Sequence, residues 1–159
     1  MNPQFLTSRW RDNLRDGIAG CAGLAIMQSL ANLADLPIAG VPFACSIILI
    51  VAAPQSDTAQ PRNVVGGHVL SALSGSTMAL LMAPHWWTLP IAIGLAIFAM
   101  QVTRTLHPPA GLTAVIAATQ SVSWHFVLTP ILSGAVVLVL LSCAYLRWVR
   151  RVSWPEAWF

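Results

Sequence analysis

The chain has 159 residues, of which 57% are hydrophobic and 8% charged, and its mean hydropathy is +0.72. An average soluble domain carries roughly 25% charged residues, so eight arginines, five acidic side chains and no lysine are too few to cover a water-exposed globule. The same numbers exclude disorder, and the net charge of +3 implies no nucleic-acid partner, because the arginines sit at the ends of apolar runs and leave no basic face.

These runs predict an all-α polytopic membrane protein of about six hydrophobic helical segments, with four to six crossings and one or two short or interrupted helices. Residues 1–16 carry Arg9, Arg11, Arg15, Asp12 and Asp16 and are expected to be a cytoplasmic N-terminal segment. Uncharged stretches follow at 17–34, 36–56, 64–83, 88–103, 106–122 and 126–146, which makes 17–146 the transmembrane domain and 147–159 a basic, aromatic cytoplasmic tail. A bilayer core of about 30 Å takes about 20 helical residues. The first, second, third and sixth stretches are long enough, the fourth is marginal, and the fifth, opened by Pro108 and Pro109, is a short span or a re-entrant half-helix. The two acidic residues before the first stretch, and the lack of an A-x-A site closing it, argue against a cleaved signal.

Six crossings put all eight arginines on one side, which the positive-inside rule makes cytoplasmic together with both termini. The opposite connections hold Asp35, then Pro84, His85, Trp86 and Trp87, then Trp124 and His125, an arginine-free side with an aromatic belt. The third stretch repeats small residues at Gly67, Ser71 and Gly75, and the first at Gly17, Gly20 and Gly23, as tight helix packing in lipid requires. The same stripe could serve a neighbouring copy, so a homo-oligomer is expected. Cys21, Cys45 and Cys143 lie inside apolar stretches without ligand spacing and are expected to be small core residues, with no metal site and no cofactor.

Two connections on the arginine side stand apart. One runs from Ala53 through Asp57, Pro61, Arg62 and Asn63 to Gly66, Gly67 and His68; the other from Arg104 through His107, Pro108 and Pro109 to Gly111. Each has the order polar group, proline, glycine, helix. The first N–H groups of a helix lack internal partners and carry partial positive charge, so such starts bind small anions. Asn63 is a candidate cap for one start, and His107 or Thr105 for the other. The glycines would let a ligand approach the backbone. Arg62 and Arg104 would draw an anion in through paired hydrogen bonds, although an arginine at a membrane boundary also marks topology alone. His68 and His107 would donate hydrogen bonds or handle a proton, and Asp57 would pair with an arginine or take a proton. No nucleotide-binding, protease, hydrolase or zinc signature is present, so no catalytic residue is named and no enzyme is expected.

The run from Arg104 to Gly111 resembles the namesake motif of the HPP family of integral membrane proteins, and the run from Ala53 to His68 resembles that family's second marked stretch, with its A-Q-P-R and G-G-H elements. The resemblance covers about residues 15–146. It implies about four membrane helices, against the six stretches counted here. It also implies nitrite transport, which is associated with members from photosynthetic lineages, and location in a bacterial inner membrane. The combined expectation is transport of a small inorganic anion, most readily nitrite, between two helix N-termini. The rival is a non-transporting assembly or regulatory module whose polar loops dock a cytosolic partner.

Overall fold

The computed structural model describes residues 3–33, 40–82, 85–120, 122 and 124–158. Among these residues all regular structure is helical. The elements are α1 (Pro3–Leu33), α2 (Val41–Ala52), α3 (Pro61–Leu81), α4 (Thr88–Val102), α5 (Gly111–Thr119), which continues a single 3-10 turn at Pro108–Ala110, and α6 (Val127–Arg150). Each predicted stretch therefore contains one helix. Asp35 and Pro84, assigned to the arginine-free side, lie outside the described residues.

Helix lengths refine the crossing count. α3 and α6 are long and apolar enough to cross a membrane. α1 has 31 residues, but its first half holds the charged cluster, and it runs through the expected boundary at 16/17 as one helix. α2 has 12 residues, or about 18 Å at about 1.5 Å per residue, so the second stretch is shorter than its uncharged run suggests. It stops at Ala52 because Ala53 precedes a proline and leaves the helical region, at φ −139° and ψ 60°. α6 continues past 146 to Arg150, so the expected boundary of the tail also falls inside a helix.

α3 is the central element, packed chiefly against α5 and α4 and also against α6, while α2 reaches it through the side chains of Ser46 and Phe43. Its small residues make this possible. A Cβ on Gly75 would lie 2.6 Å from the Ala117 Cβ of α5, and one on Gly67 would lie 2.6 Å from the His107 Cβ. The Gly67, Ser71, Gly75 stripe is thus spent on contacts within the chain, as expected of tight helix packing. In α1, Gly20 and Gly23 face Ile47 of α2, which would lie 3.7 and 3.8 Å from a Cβ at those positions. Large apolar side chains such as Ile48, Leu80, Phe98, Leu128 and Leu140 point outward, as lipid-facing surfaces do. Cys21 and Cys45 share that exposure, which corrects their expected place in the core.

The two ends of the bundle are tied by side chains that the sequence spacing does not connect. Asp16 of α1 takes an ion pair from Arg150 and a hydrogen bond from the Tyr145 hydroxyl, both on α6. Arg151, at φ 56°, then turns the chain out of α6 in the left-handed region, and the Val152 amide closes the turn on the Leu146 carbonyl at 2.9 Å. The segment that follows folds back. Trp154 is fully buried, and the Glu156 amide donates to Gln60 Oε1 at 3.0 Å.

Candidate functional site

The two proline-containing connections meet. The Arg62 guanidinium donates to the Thr103 carbonyl at 3.0 Å, Asn63 Nδ2 to the Leu106 carbonyl at 3.1 Å, and His107 Nδ1 to the Thr58 carbonyl at 2.7 Å. Gln60 holds the first connection in shape by donating to the carbonyls of Pro54, at 2.9 Å, and Ser56, at 3.2 Å. The second connection leaves α4 through a left-handed residue, Arg104, at φ 55°. Its amide bonds to the Gln101 carbonyl and the next amide, of Thr105, to the Met100 carbonyl, which is the paired closure that usually uses glycine at this position.

The helix starts differ from those expected. α3 begins at Pro61, with Gln60 as the flanking residue in extended conformation, because a proline's missing N–H costs nothing at a first helical position. Asn63 therefore lies in the first turn and caps nothing; its amide and that of Val64 both bond to the Gln60 carbonyl. Gly66, Gly67 and His68 are interior to α3, where their N–H groups belong to the helix ladder. Their glycines admit the Thr105 side chain and the His107 Cβ, with a Cβ on Gly66 falling 2.8 Å from Thr105 Cγ2. At the other start Pro108 and Pro109 have no N–H, the Ala110 amide bonds to His107, and the Gly111 amide bonds to Pro108. The backbone groups at Gly66, Gly67 and Gly111 are already used, which overturns the picture of an anion held by two free helix N-termini. His107 flanks its turn without capping it, and nothing lies within 4 Å of a Cβ on Gly111.

The polar side chains divide into an outer and an inner group. Outside, Asp57, Gln60, Arg62, Asn63 and Arg104 line one cavity of about 240 Å³, closed on one flank by Ala157 and Trp158 of the returning tail. Both candidate arginines thus reach the same space. Asp57 joins them there, and the ion pairs among the described residues, Arg15 with Asp12 and Arg150 with Asp16, do not include it.

Inside, His68 and His107 are fully buried with ring centroids 5.2 Å apart. Ser46 of α2 bridges them, its Oγ 2.8 Å from Nε2 of each ring. His68 Nδ1 is 2.8 Å from Thr113 Oγ1 of α5, and Phe43 of α2 lies against the His68 ring at 4.8 Å. The continuous chain Thr113, His68, Ser46, His107, Thr58 joins five parts of the fold: α5, α3, α2 and the two connections. Sequence reasoning found both histidines and missed Ser46 and Thr113. A lone serine inside an apolar run of α2, 22 and 61 residues from its partners, gives no local sign. The remaining histidines lie elsewhere; His85 stacks on Trp87 at 4.3 Å, consistent with an interfacial aromatic cluster.

Comparison with known proteins agrees with the two motifs. The model of the HPP transmembrane region matches residues 6–155. Two transmembrane proteins of Dictyostelium discoideum are similar: one is 36% identical over 125 residues, covering 74% of this chain and 44% of its own length, and the other is 33% identical over 125 residues, covering 74% and 40%. The chain therefore spans less than half the length of these curated relatives. No solved structure matches. The shared region contains both proline connections and every residue of the buried histidine chain, and the protein belongs to the HPP family of transmembrane proteins.

Proposed function

We propose that this protein carries a small inorganic anion, nitrite, across a bacterial inner membrane, with the arginine-bearing face and both termini in the cytoplasm. The observation that carries the reading is the convergence of Arg62 and Arg104 on one small cavity at the mouth of the two linked connections. A guanidinium matches a planar two-oxygen anion through parallel hydrogen bonds, and the Asn63 amide adds a neutral donor beside it. His68 lies six residue rises along α3 from Arg62, about 9 Å of helix, so the buried histidines stand a short way inward of the mouth. Side chains replace the free backbone groups as the anion's ligands. Gly66 and Gly67 serve the site by letting Thr105 and His107 seat against α3. Two short helices, α2 and α5, supply the inner hydroxyls Ser46 and Thr113, and short or interrupted helices facing a central site are a recurring transporter pattern. A homo-oligomer fits a chain this small, with faces other than the internal small-residue stripe in contact.

Nitrite uptake into proteoliposomes tests the proposal, comparing wild type with an Arg62→Gln, Arg104→Gly double variant. Loss of two charge-assisted donors is expected to lower uptake at low nitrite by roughly tenfold or more. Wild-type uptake no faster than that of empty liposomes overturns nitrite as the substrate.

A further inference from the structure

The donors and acceptors of the buried chain have one consistent assignment. A carbonyl only accepts, so His107 Nδ1 carries the hydrogen in its bond to Thr58. The Nε2 lone pair of a neutral His107 then takes the Ser46 hydroxyl hydrogen. With its hydrogen committed, Ser46 Oγ accepts from the Nε2–H of His68. His68 Nδ1 is left as an acceptor for the Thr113 hydroxyl. Both rings are neutral and every ring nitrogen has a partner, with opposite tautomers on the two histidines.

This chain can hold one additional proton without losing a bond. When His68 Nδ1 gains the proton, the Thr113 hydroxyl turns to accept from it, and His68 is an imidazolium donating at both nitrogens. The charge passes to His107 by two short transfers. The His68 Nε2 hydrogen moves to Ser46 Oγ as the Ser46 hydroxyl hydrogen moves to His107 Nε2. No atom is gained or lost, and His68 is left neutral, still donating from Nδ1 to Thr113. A second proton is excluded, because Ser46 would then face two donors and have no acceptor for its own hydrogen, with two cationic rings 5.2 Å apart.

The surroundings offer that proton no counter-ion. Against the rings stand Phe43 and Ser46 from α2, Thr113 from α5, and Thr58 from the first connection. Among the described residues no carboxylate or guanidinium bonds to either ring. The nearest charged groups along the chain, Asp57, Arg62 and Arg104, belong to the outer cavity. A lone charge buried this way is costly, and a bound anion removes the cost.

We propose that His68, Ser46 and His107 form a single-proton site, loaded together with the anion, so that one proton accompanies each anion carried. The coupling rests on the anion-transport reading above; the proton site itself does not.

The test is ¹⁵N-histidine spectroscopy on the full chain in lipid bilayers, in a His85→Gln, His125→Gln background that leaves only these two rings. At neutral pH the expected result is hydrogen on Nδ1 of His107 and on Nε2 of His68. Acidification should add one proton shared by the pair, and saturating nitrite should raise the midpoint of that step by roughly one unit, the linkage expected of a tenfold mutual effect. Ser46→Ala should abolish sharing and leave the rings to titrate separately. Thr113→Val, close in shape, should confine the proton to His107. The opposite tautomers, a proton on each ring, or rings that stay neutral down to the pH of unfolding would overturn the proton site. A one-proton step that ignores nitrite, with no nitrite uptake by the wild type, overturns the coupling and the anion reading while leaving the proton site in place.

Discussion

Gly67→Ala separates the two roles open to the glycines of the G-G-H element. If Gly67 exists to seat His107, a methyl group there meets the His107 Cβ at 2.6 Å, the Thr105 carbonyl oxygen at 3.2 Å and Met100 Sδ at 3.4 Å. Carbon atoms rest at about 3.5–4.0 Å, so α3 and the second connection must part by about 1 Å. The nearest obstacle is a Cβ, fixed to its backbone, and not the free end of a flexible side chain. Overpacking of this kind costs about 1–3 kcal/mol. Parting the elements also stretches the bridge from Ser46 to His107, now 2.8 Å. Gly94→Ala in α4 is the control, since nothing lies within 4 Å of a Cβ there and alanine is favoured in a helix by up to about 1 kcal/mol. Thermal unfolding in detergent is the assay; both variants share the helix gain, so at about 2–4 °C per kcal/mol for a chain this long, Gly67→Ala should unfold at least about 2 °C below Gly94→Ala, and Gly94→Ala at or above wild type. A Gly67→Ala protein as stable as Gly94→Ala would refute the seating argument. It would return Gly67 to the role of admitting a ligand.

Other residues carry shorter predictions. Arg104→Gly should raise stability by about 1 kcal/mol, because it relieves a left-handed arginine, while weakening nitrite uptake; stability and uptake falling together would show that the side chain holds the turn. Asp16→Asn removes the partner of both Arg150 and Tyr145 and should destabilise by about 1–3 kcal/mol, and a double-mutant cycle with Tyr145→Phe should show coupling between the two sites. Trp154→Ala empties the largest fully buried side chain, a change of about 3–5 kcal/mol, and should release the returning tail, seen as faster trypsin cleavage after Arg150 and Arg151.

Six apolar stretches and the all-helical class could be read from residue order, because each depends on local chemistry: run length, proline at a helix start, arginine at a run's end; the meeting of the two connections rests instead on bonds between residues 41, 43 and 49 apart. Helix starts were less accessible. Pro61 and Asn63 both suit the beginning of α3, and what separates them is Gln60, whose side chain reaches Pro54, Ser56 and Glu156 at once. The shift of the start to Pro61 moves His68 two turns into the membrane helix and turns Gly66 and Gly67 from anion ligands into packing sites. Ser46 and Thr113 stayed hidden for a related reason. A hydroxyl in an apolar helix ordinarily bonds back to its own turn, as Ser74 does to the Leu70 carbonyl at 2.8 Å. Only the tertiary arrangement shows that these two hydroxyls bond across the bundle. The Asp16 to Arg150 tie spans 134 residues and has no counterpart in the local pattern.

The transporter and docking readings part at Leu106, between the exposed Arg104 and the buried His107. A docking loop presents its polar residues and their neighbours to water, whereas a transport mouth keeps its inner wall packed. Leu106 is half-buried against the cluster of Ala96, Met100, Ala110 and Ala114. In a background with Cys21, Cys45 and Cys143 changed to alanine, Leu106→Cys and Arg104→Cys can be exposed to a membrane-impermeant thiol reagent in sealed vesicles of known orientation. The transport reading expects Arg104→Cys to react from the arginine-bearing face and Leu106→Cys to react roughly tenfold or more slowly, since its exposure requires local opening. It also expects nitrite to change the Leu106→Cys rate, because an anion moving inward from the Arg62 and Arg104 cavity must pass the connection that Asn63 clips to the Leu106 carbonyl. Equal rates at the two positions, indifferent to nitrite, would make the loops a water-facing surface and favour the docking module.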